Sequence, residues 1–360
     1  MSELDKIREN INNIDEQMAQ LFQERMEMSR QVAVFKKDRG LSIRDAERER
    51  ELIDRDRRFI KDPAVDGYYV QFLRSVLDLS CAYQSRLLNG MKVAYSGVEG
   101  AYGYIAARRM FPEAQLIAYP DFAAAHRAVE QGEADSAVLP LENSTAGSVN
   151  AVYDLMTQHN FRIVRSVRIK VDHNLLANPG AKLENIREIY SHEQAISQCA
   201  HFLQGFPNVK VIRCENTAVA ARMVAESGRD DVAALSSRAC RELYGLDCLA
   251  ASVQDQGNNF TRFICIAKNL EIYPGADRTS LMMVLPHHPG SLYKVLSRFN
   301  ALGVNMNQLE SRPMPDRNFE FMFYFDLETS VYAPQFTQLM GELPELCEEF
   351  TYLGSYSEVV

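Results

Sequence analysis

The chain has 360 residues, of which 46% are hydrophobic, and a formal net charge of −9. This length predicts roughly two or three globular domains, and an acidic balance without a basic stripe interleaved with aromatic residues argues against a nucleic-acid partner. The sequence contains no apolar run of about 18 residues, so no membrane span is predicted. The charged first residues, MSELDKIREN, predict no signal peptide and a cytoplasmic protein.

The cysteine and histidine positions do not indicate a disulfide framework or a metal site. None of the seven cysteines stands in a CxxC spacing, so we expect reduced thiols. The seven histidines include one adjacent pair, His287 and His288, and no metal-ligand spacing. We therefore expect no metal.

Residues 1–88 contain little Gly or Pro and predict three helices, at about 4–38, 44–60 and 67–88. Apolar residues recur every seven positions along the first helix, and Arg25 occupies one of these positions. A helix of about 35 residues would be roughly 50 Å long. Such a helix is too long for a compact monomeric domain of this size, so an intertwined helical dimer is predicted.

Arg25 has two interpretations. It could set the register of the seam while paired with a glutamate. Alternatively, Arg25 and Lys36 of one chain could line a buried anionic site together with Arg8 of an antiparallel partner, because arginine suits bidentate binding of carboxylates.

The polar residues of this segment match a known pattern. Their spacing resembles the all-helical chorismate mutase family at each of its site positions, which here are Arg8, Arg25, Lys36, Asp45, Arg48, Glu49, Ser80 and Gln84. The resemblance implies that Arg25 and Arg8 of the partner subunit grip the two substrate carboxylates, and that Lys36 and Gln84 face the ether oxygen. The two acidic residues of the second helix, Asp45 and Glu49, would orient the ring hydroxyl and the cations. Chorismate mutases rearrange chorismate to prephenate in a pericyclic reaction that needs no nucleophile. The enzyme has to hold the reactive conformer and to stabilise the charge on the breaking ether oxygen.

After Gly90, short β-rich runs alternate with helical patterns, which predicts an α/β segment over residues 91–270. This number of strands favours two small α/β lobes with a cleft between them. The glycines at 97, 100 and 103 follow a strand in a G-x-x-G-x-x-G spacing, which is a weak nucleotide-binding signal. The helix that they open could instead bind a carboxylate.

Three polar stretches stand out in this segment, and each has a structural interpretation as well as a functional one. They are PLENSTAGS (140–148), YSHEQAISQC (190–199) and NNFTRF (258–263). Ser191 and Gln194 could form a helix capping box, Thr261 could be an ordinary strand residue, and Glu142 and Asn143 could be loop polars.

Together these stretches resemble the prephenate dehydratase domain from about Lys92 to Ala267, although Gly103 stands where relatives usually have Ser. In that reaction a hydroxide leaves and a carboxylate departs as CO2, so a proton donor should face the leaving oxygen. The resemblance makes Thr261 the expected proton donor. Glu215 or Glu142 would relay the proton to it. Arg262 could hold a carboxylate or be structural. The remaining residues expected to bind the substrate are Asn143, Ser191, Gln198, Thr217 and Phe263.

Residues 278–360 have the order strand, helix, strand, strand, helix, strand, which predicts a ferredoxin-like βαββαβ unit. The stretches HHPGSLYKVLSRF and NMNQLESRP resemble the ACT regulatory domain of phenylalanine-sensitive dehydratases, with Ser291 in place of Ala. The alternative is a unit that mediates assembly only. The resemblance implies a phenylalanine pocket at a dimer interface, lined by Gly290, Ser291, Leu292, Asn305, Glu310, Ser311 and Arg312.

These resemblances imply a bifunctional enzyme that converts chorismate to prephenate and prephenate to phenylpyruvate without a cofactor or metal, with feedback inhibition by L-phenylalanine. We expect a homodimer or a higher homo-oligomer. Two alternatives remain: the same architecture with one site inactive or retuned toward arogenate, and a non-catalytic sensor of aromatic acids.

Overall fold

A computed structural model describes residues 3–314 and 320–359. The chain divides into two compact units, Met1–Met91 and Lys92–Val360. Within the described residues, we find no helix that is both long and apolar enough to span a bilayer.

The first unit consists of the helices α1 (Glu3–Asp38), α2 (Ala46–Asp56) and α3 (Pro63–Asn89), with a short 3₁₀ turn at Arg57–Phe59. The third helix begins four residues before the predicted start. Asp62 caps it by accepting a hydrogen bond from the Ala64 N–H, and Pro63 occupies the first helical turn, where its missing N–H costs nothing. The Asp-Pro pair therefore starts the third helix.

The apolar seam of α1 is exposed in the single chain. Ile7, Ile14 and Leu21 are 52%, 55% and 64% exposed, and the other seam residues behave in the same way. One face of α1 packs against α3, where Ala33 is buried. The remaining seam leaves a long apolar stripe without a partner inside this chain.

The second unit contains sixteen strands among its described residues, in three sheets. In chain order they are β1 (Lys92–Ser96), β2 (Gln115–Tyr119), β3 (Ser136–Asn143), β4 (Gly147–Ser148), β5 (Arg162–Lys170), β6 (Asn174–Ala177), β7 (Glu188–Ser191), β8 (Lys210–Arg213), β9 (Val232–Ser236), β10 (Asp247–Ala250), β11 (Phe260–Ala267), β12 (Arg278–Val284), β13 (Asn305–Pro313), β14 (Phe321–Glu328), β15 (Glu349–Tyr356) and β16 (Glu358–Val359). Its helices are α4 (Tyr102–Met110), α5 (Phe122–Gln131), α6 (Asn150–Gln158), α7 (Glu193–Gln198), α8 (Ala200–Gln204), α9 (Thr217–Ser227), α10 (Arg238–Tyr244), α11 (Ser291–Ala301) and α12 (Pro334–Glu342).

Two of the three sheets form two α/β lobes. The sheet of the first lobe has the order β16-β5-β11-β3-β1-β2, with β4 paired to β3. The sheet of the second lobe has the order β10-β6-β9-β7-β8. The chain leaves the first lobe after β5 and returns to it at β11, so two crossing segments connect the lobes.

The third sheet, with the order β13-β14-β12-β15, is antiparallel and has the βαββαβ connectivity. We call residues 278–359 the terminal module. Alternate residues of β12 serve two cores, as the period of two in a strand requires. Leu281 and Met283 pack in the core beneath α11 and α12, whereas Met282 and Val284 join the core of the first lobe. The terminal module is therefore packed onto the first lobe through one face of its sheet.

The module also extends the sheet of the first lobe. Strand β16 pairs in parallel with β5, where Glu358 lies opposite Ser166 and Val359 opposite Val167. A strand of two residues has no detectable sequence pattern, and we did not predict it.

Candidate functional sites

Thr261 and Asn143 lie opposite each other where the antiparallel strands β11 and β3 pair. Asn143 Nδ2 donates to Thr261 Oγ1 at 2.9 Å and to Asn259 Oδ1 at 2.7 Å. Asn143 Oδ1 accepts from the backbone N–H groups of Thr145 and Ala146 at 3.0 and 2.8 Å. These bonds fix the Asn143 amide, and Thr261 can direct its own hydroxyl proton elsewhere because its oxygen already accepts a bond.

A cleft of about 190 Å³ lies in front of this pair, between the two lobes. The first lobe and the crossing segments contribute Tyr102, Asn143, Val171, His173, Asn259 and Thr261. The second lobe contributes His192, Gln194, Ala195, Gln198, Glu215, Asn216 and Thr217. The structure thus brings together five residues that we predicted from the sequence: Asn143, Gln198, Glu215, Thr217 and Thr261.

His173 is a cleft residue that the sequence analysis missed, because an isolated histidine at the start of a lobe carries no motif. It is 2% exposed, and its Nε2 lies 2.9 Å from Gln198 Oε1. Burial lowers the pKa of His173, so the imidazole is neutral near pH 7. With the proton on Nε2, His173 donates to Gln198 and so orients this amide in the cleft.

The assignment of Ser191 to the site, and its alternative as a helix cap, are both wrong. The Ser191 side chain is fully buried, and its hydroxyl donates to the Leu235 carbonyl at 2.8 Å. The cap of α7 is His192, whose Nδ1 accepts from the Gln194 N–H at 3.2 Å.

Glu142, Arg262 and Phe263 do not line the cleft. This corrects Glu142 as a relay and Phe263 as a substrate contact, and it favours the structural interpretation of Arg262. Neighbouring strand residues point to opposite faces of a sheet, so Arg262 and Glu142 lie behind Thr261 and Asn143. Arg262 is 3% exposed and pairs with Asp326 and, at 3.3 Å, with Glu142. Phe263 is buried in the sheet, where the pairing with β3 passes over Leu141.

The glycine-rich loop before α4 serves the contact between the lobes. Gly100 has φ +88°, and a Cβ there would lie 2.8 Å from Cys240 Sγ of the second lobe. A side chain at Gly103 would lie 3.2 Å from the Ser96 carbonyl, so the serine of relatives would be tightly placed in this chain. The glycines therefore allow close packing, which accounts for their spacing without a nucleotide.

In the helical unit, Arg25 of α1 hydrogen-bonds the buried hydroxyl of Ser80 on α3. Lys36 donates to the Ile43 carbonyl, and Glu49 lies 3.2 Å from Arg44. Gln84 is 7% exposed, and its Oε1 has no hydrogen-bond partner among the described residues.

The other predicted residues of this unit lie differently. Asp45 caps α2, since its Oδ1 accepts from the Arg48 N–H at 3.0 Å, and this bond takes up one of its carboxylate oxygens. The Arg48 side chain is exposed beside Glu51 at 3.4 Å. Arg8 is exposed near the start of α1. Seventeen residues separate it from Arg25, so it lies about 26 Å away along one helix.

The predicted regulatory residues fall into two groups. Gly290, in the left-handed conformation at φ +88°, precedes α11, and Ser291 and Leu292 line a cavity of about 430 Å³ together with Phe323. Ser311 is paired in register with Phe323. The others, Asn305, Glu310 and Arg312, also lie on β13.

Glu310 and Arg312 contact the first lobe instead of the cavity. Glu310 accepts a hydrogen bond from Ser148 Oγ at 2.7 Å, and Arg312 donates to Asp154 at 2.8 and 3.0 Å. Asn305 donates to Glu328 at 3.0 Å. Within one chain, the seven predicted regulatory residues therefore do not converge on one pocket.

Comparison with known proteins identifies both units. The family model for chorismate mutase type II matches residues 7–85, and the model for prephenate dehydratase matches residues 93–271. A bifunctional chorismate mutase/prephenate dehydratase of Escherichia coli is 32% identical over 97% of this chain and 95% of its own length. Arogenate dehydratase/prephenate dehydratase 1 of Arabidopsis thaliana is 37% identical over 74% of this chain and 72% of its own length.

A solved structure is also similar. The prephenate dehydratase of Arthrobacter aurescens, in complex with L-Phe, has a TM-score of 0.67 and is 29% identical. The match covers 74% of this chain and 90% of that one.

Proposed function

This chain belongs to the family of bifunctional chorismate mutase/prephenate dehydratases, and we propose which of its residues carry the two reactions. The enzyme rearranges chorismate to prephenate and converts prephenate to phenylpyruvate. We assign the mutase to residues 1–90, the dehydratase to residues 91–270 and regulation to residues 278–360.

The observation that carries the dehydratase proposal is the Asn143–Thr261 hydrogen bond at the wall of the cleft. Asn143 donates to Thr261 Oγ1, so the Thr261 proton is free to point at the ring hydroxyl of prephenate. Loss of this hydroxyl as water takes up one proton, and the electrons of the departing carboxylate complete the aromatic ring. Prephenate and one proton thus give phenylpyruvate, CO2 and water.

Threonine is a weak acid, so a carboxyl group has to resupply its proton. Glu215 lines the cleft and is our candidate for this relay. Glu142 lies on the other face of the sheet, paired with Arg262, so it cannot serve as this relay. Gln198, held by His173, and Thr217 orient the substrate from the second lobe.

For the mutase we propose that Arg25 and Arg8 of the partner subunit bind the two carboxylates of chorismate. Arg25 is hydrogen-bonded to Ser80, and among the described residues no glutamate pairs with it, which favours the ligand site over a register-setting charge. The buried Gln84 amide has an oxygen without a partner among the described residues, as expected of a polar group that meets a ligand. Lys36 and Gln84 would face the ether oxygen, where charge develops.

This proposal requires a dimer in which α1 packs lengthwise against a second copy. The exposed apolar seam of α1 supports it, since such a stripe is stable in water only when covered. Light scattering should give the mass of a dimer or of a higher homo-oligomer. A monomer at micromolar concentration would contradict the mutase proposal.

We further propose that the terminal module is an ACT domain that binds L-phenylalanine. The cavity beside Ser291 and Leu292 would hold the ligand, and a second chain would complete it. Glu310 and Arg312 of the same module hydrogen-bond to Ser148 and Asp154 of the first lobe. A shift of β13 would therefore move these two residues of the first lobe. Inhibition would follow from tighter binding of phenylalanine to a less active state.

The experiment that tests the proposal uses purified protein and chorismate without added cofactor, and follows prephenate and phenylpyruvate with and without L-phenylalanine. Phenylpyruvate formation that falls on addition of phenylalanine is the expected result. Parallel assays with arogenate test whether the dehydratase site prefers arogenate to prephenate. The similarity to the Arabidopsis relative motivates this test. Calorimetry that detects no phenylalanine binding at millimolar concentration would overturn the regulatory part alone.

A further inference from the structure

Two histidines and a glutamate form a cluster in the first lobe that the proposed reactions do not use. His126 and Glu130 lie one turn apart on α5, and His159 directly follows α6. One potential ligand atom from each residue lies within 4.8 Å of the others. We propose that this His126–Glu130–His159 cluster binds a divalent first-row transition metal ion, with Zn²⁺ as the preferred ion.

The first argument is an unsatisfied buried nitrogen. His126 is 1% exposed, and its Nδ1 has no hydrogen-bond partner among the described residues. The nearest carboxylate oxygen of Glu130 is 3.8 Å away, which is too far for a hydrogen bond. A buried polar atom without a partner is costly, and a cation between the imidazole and the carboxylate would satisfy both.

The protonation state of His126 favours this role. Burial and the neighbouring His159 lower the pKa of His126, so the ring is neutral near pH 7. A neutral imidazole offers a lone pair, which is the form of histidine that binds metals. The His126 and His159 rings lie with their centroids 4.4 Å apart, an unfavourable arrangement for two charged rings.

The distances also suit a transition metal. His159 Nδ1 lies 2.8 Å from Glu130 Oε1, and the separation of His126 Nδ1 from Glu130 Oε2 is 3.8 Å. Ligand atoms on a tetrahedral zinc ion are about 3.3 Å apart, which lies between these two values. Two imidazoles and one carboxylate select zinc, cobalt or nickel over magnesium and calcium, which prefer oxygen ligands.

The site is open on one side. His159 and Glu130 are 30% and 40% exposed, so an ion can enter from solvent and keep a water molecule as its fourth ligand. His159 also lines a cavity of about 200 Å³ between the first lobe and the terminal module, together with Met156 and Glu349. A bound ion would therefore link α5 to the end of α6, which lines this cavity.

The test uses the full chain, stripped of metal by a chelator and titrated with Zn²⁺ in competition with a chromophoric chelator. We expect one site of micromolar affinity or tighter. His159→Ala and Glu130→Gln should each weaken binding by about tenfold or more. Both residues are partly exposed, so these variants should fold.

The matched control is His201→Ala, because His201 is an exposed histidine that also faces a carboxylate, Asp255, at 3.2 Å. The affinity of the His201→Ala variant for zinc should equal that of the parent chain. At the same zinc concentration, zinc should raise the Tm of the parent and of the control by more than that of His159→Ala. The proposal is overturned if no zinc binds below millimolar concentration, if both cluster variants retain the affinity, or if His201→Ala alone abolishes it.

Discussion

Arg262 and Asp326 form a buried ion pair that joins strand β11 to the sheet of the terminal module. Asp326 is fully buried, and the Arg262 guanidinium also donates to the Tyr356 hydroxyl at 2.9 Å. Burial raises the pKa of Tyr356 to about 12, so this hydroxyl stays protonated. The pair lies directly behind Thr261, so the module and the dehydratase site share one strand.

Asp326→Asn should therefore lower both stability and dehydratase activity. It leaves the buried guanidinium without its closest counter-charge, which costs about 3–5 kcal/mol in comparable cases. Urea denaturation should show a lower free energy of unfolding, and the dehydratase kcat should fall. Glu328→Gln is the control, because this carboxylate on the same strand is exposed and should change neither quantity. A wild-type kcat in a folded Asp326→Asn enzyme would mean that the pair is structural only.

Thr261→Val removes the proposed donor and keeps the shape of the side chain. We expect dehydratase kcat to fall by about 10²–10⁴-fold, the usual contribution of a proton donor. Mutase turnover should remain, since Thr261 lies outside the helical unit. Thr261→Ser should retain much of the activity, and loss of both reactions in Thr261→Val would argue against separate sites.

Arg25→Ala should reduce mutase kcat/KM by about 100-fold or more, because a fixed charge at a substrate carboxylate is lost. Dehydratase activity and the dimer should be retained. Arg30→Ala is the control, since Arg30 lies on the same helix but pairs with Glu27 at an exposed position. Near-normal mutase turnover in Arg25→Ala would end the assignment.

Stability should depend on pH through His173. Burial lowers its pKa in the folded state, whereas the unfolded side chain takes up a proton near pH 6.5. The unfolded state thus binds more protons as the pH falls below that value, and the stability contributed by neutral His173 is lost. Urea denaturation between pH 7.5 and 5 should show a smaller pH dependence in His173→Gln, and an identical dependence would contradict this role.

The sequence predicted local features well where a short pattern determines them. The seam of α1 follows from a repeat of seven, and the alternation of strands and helices after Gly90 predicted the α/β lobes. The polar stretches around Asn143, Gln198 and Thr261 were found because the resemblance names them. The cleft confirms that these three lie together, although their roles remain proposals.

The errors concern contacts between distant parts of the chain. For Arg262 the sequence left two interpretations open, a carboxylate ligand and a structural residue. The alternation of strand residues could have favoured the second, because it places Arg262 on the face opposite Thr261. Its partner Asp326 is more than sixty residues away and has no motif. His173 and the cap formed by His192 were missed because single histidines carry no spacing signal.

The short strand β16 has a consequence for engineering this enzyme. A donor module with a different specificity could not be exchanged at the linker before β12 alone, because its last residues would also have to pair with β5. Gly354 would have to be kept as well, since a Cβ there would meet the Ile163 carbonyl oxygen at 2.3 Å. The terminal module and the first lobe therefore cannot be engineered independently, and chimeras should exchange β5 together with the module.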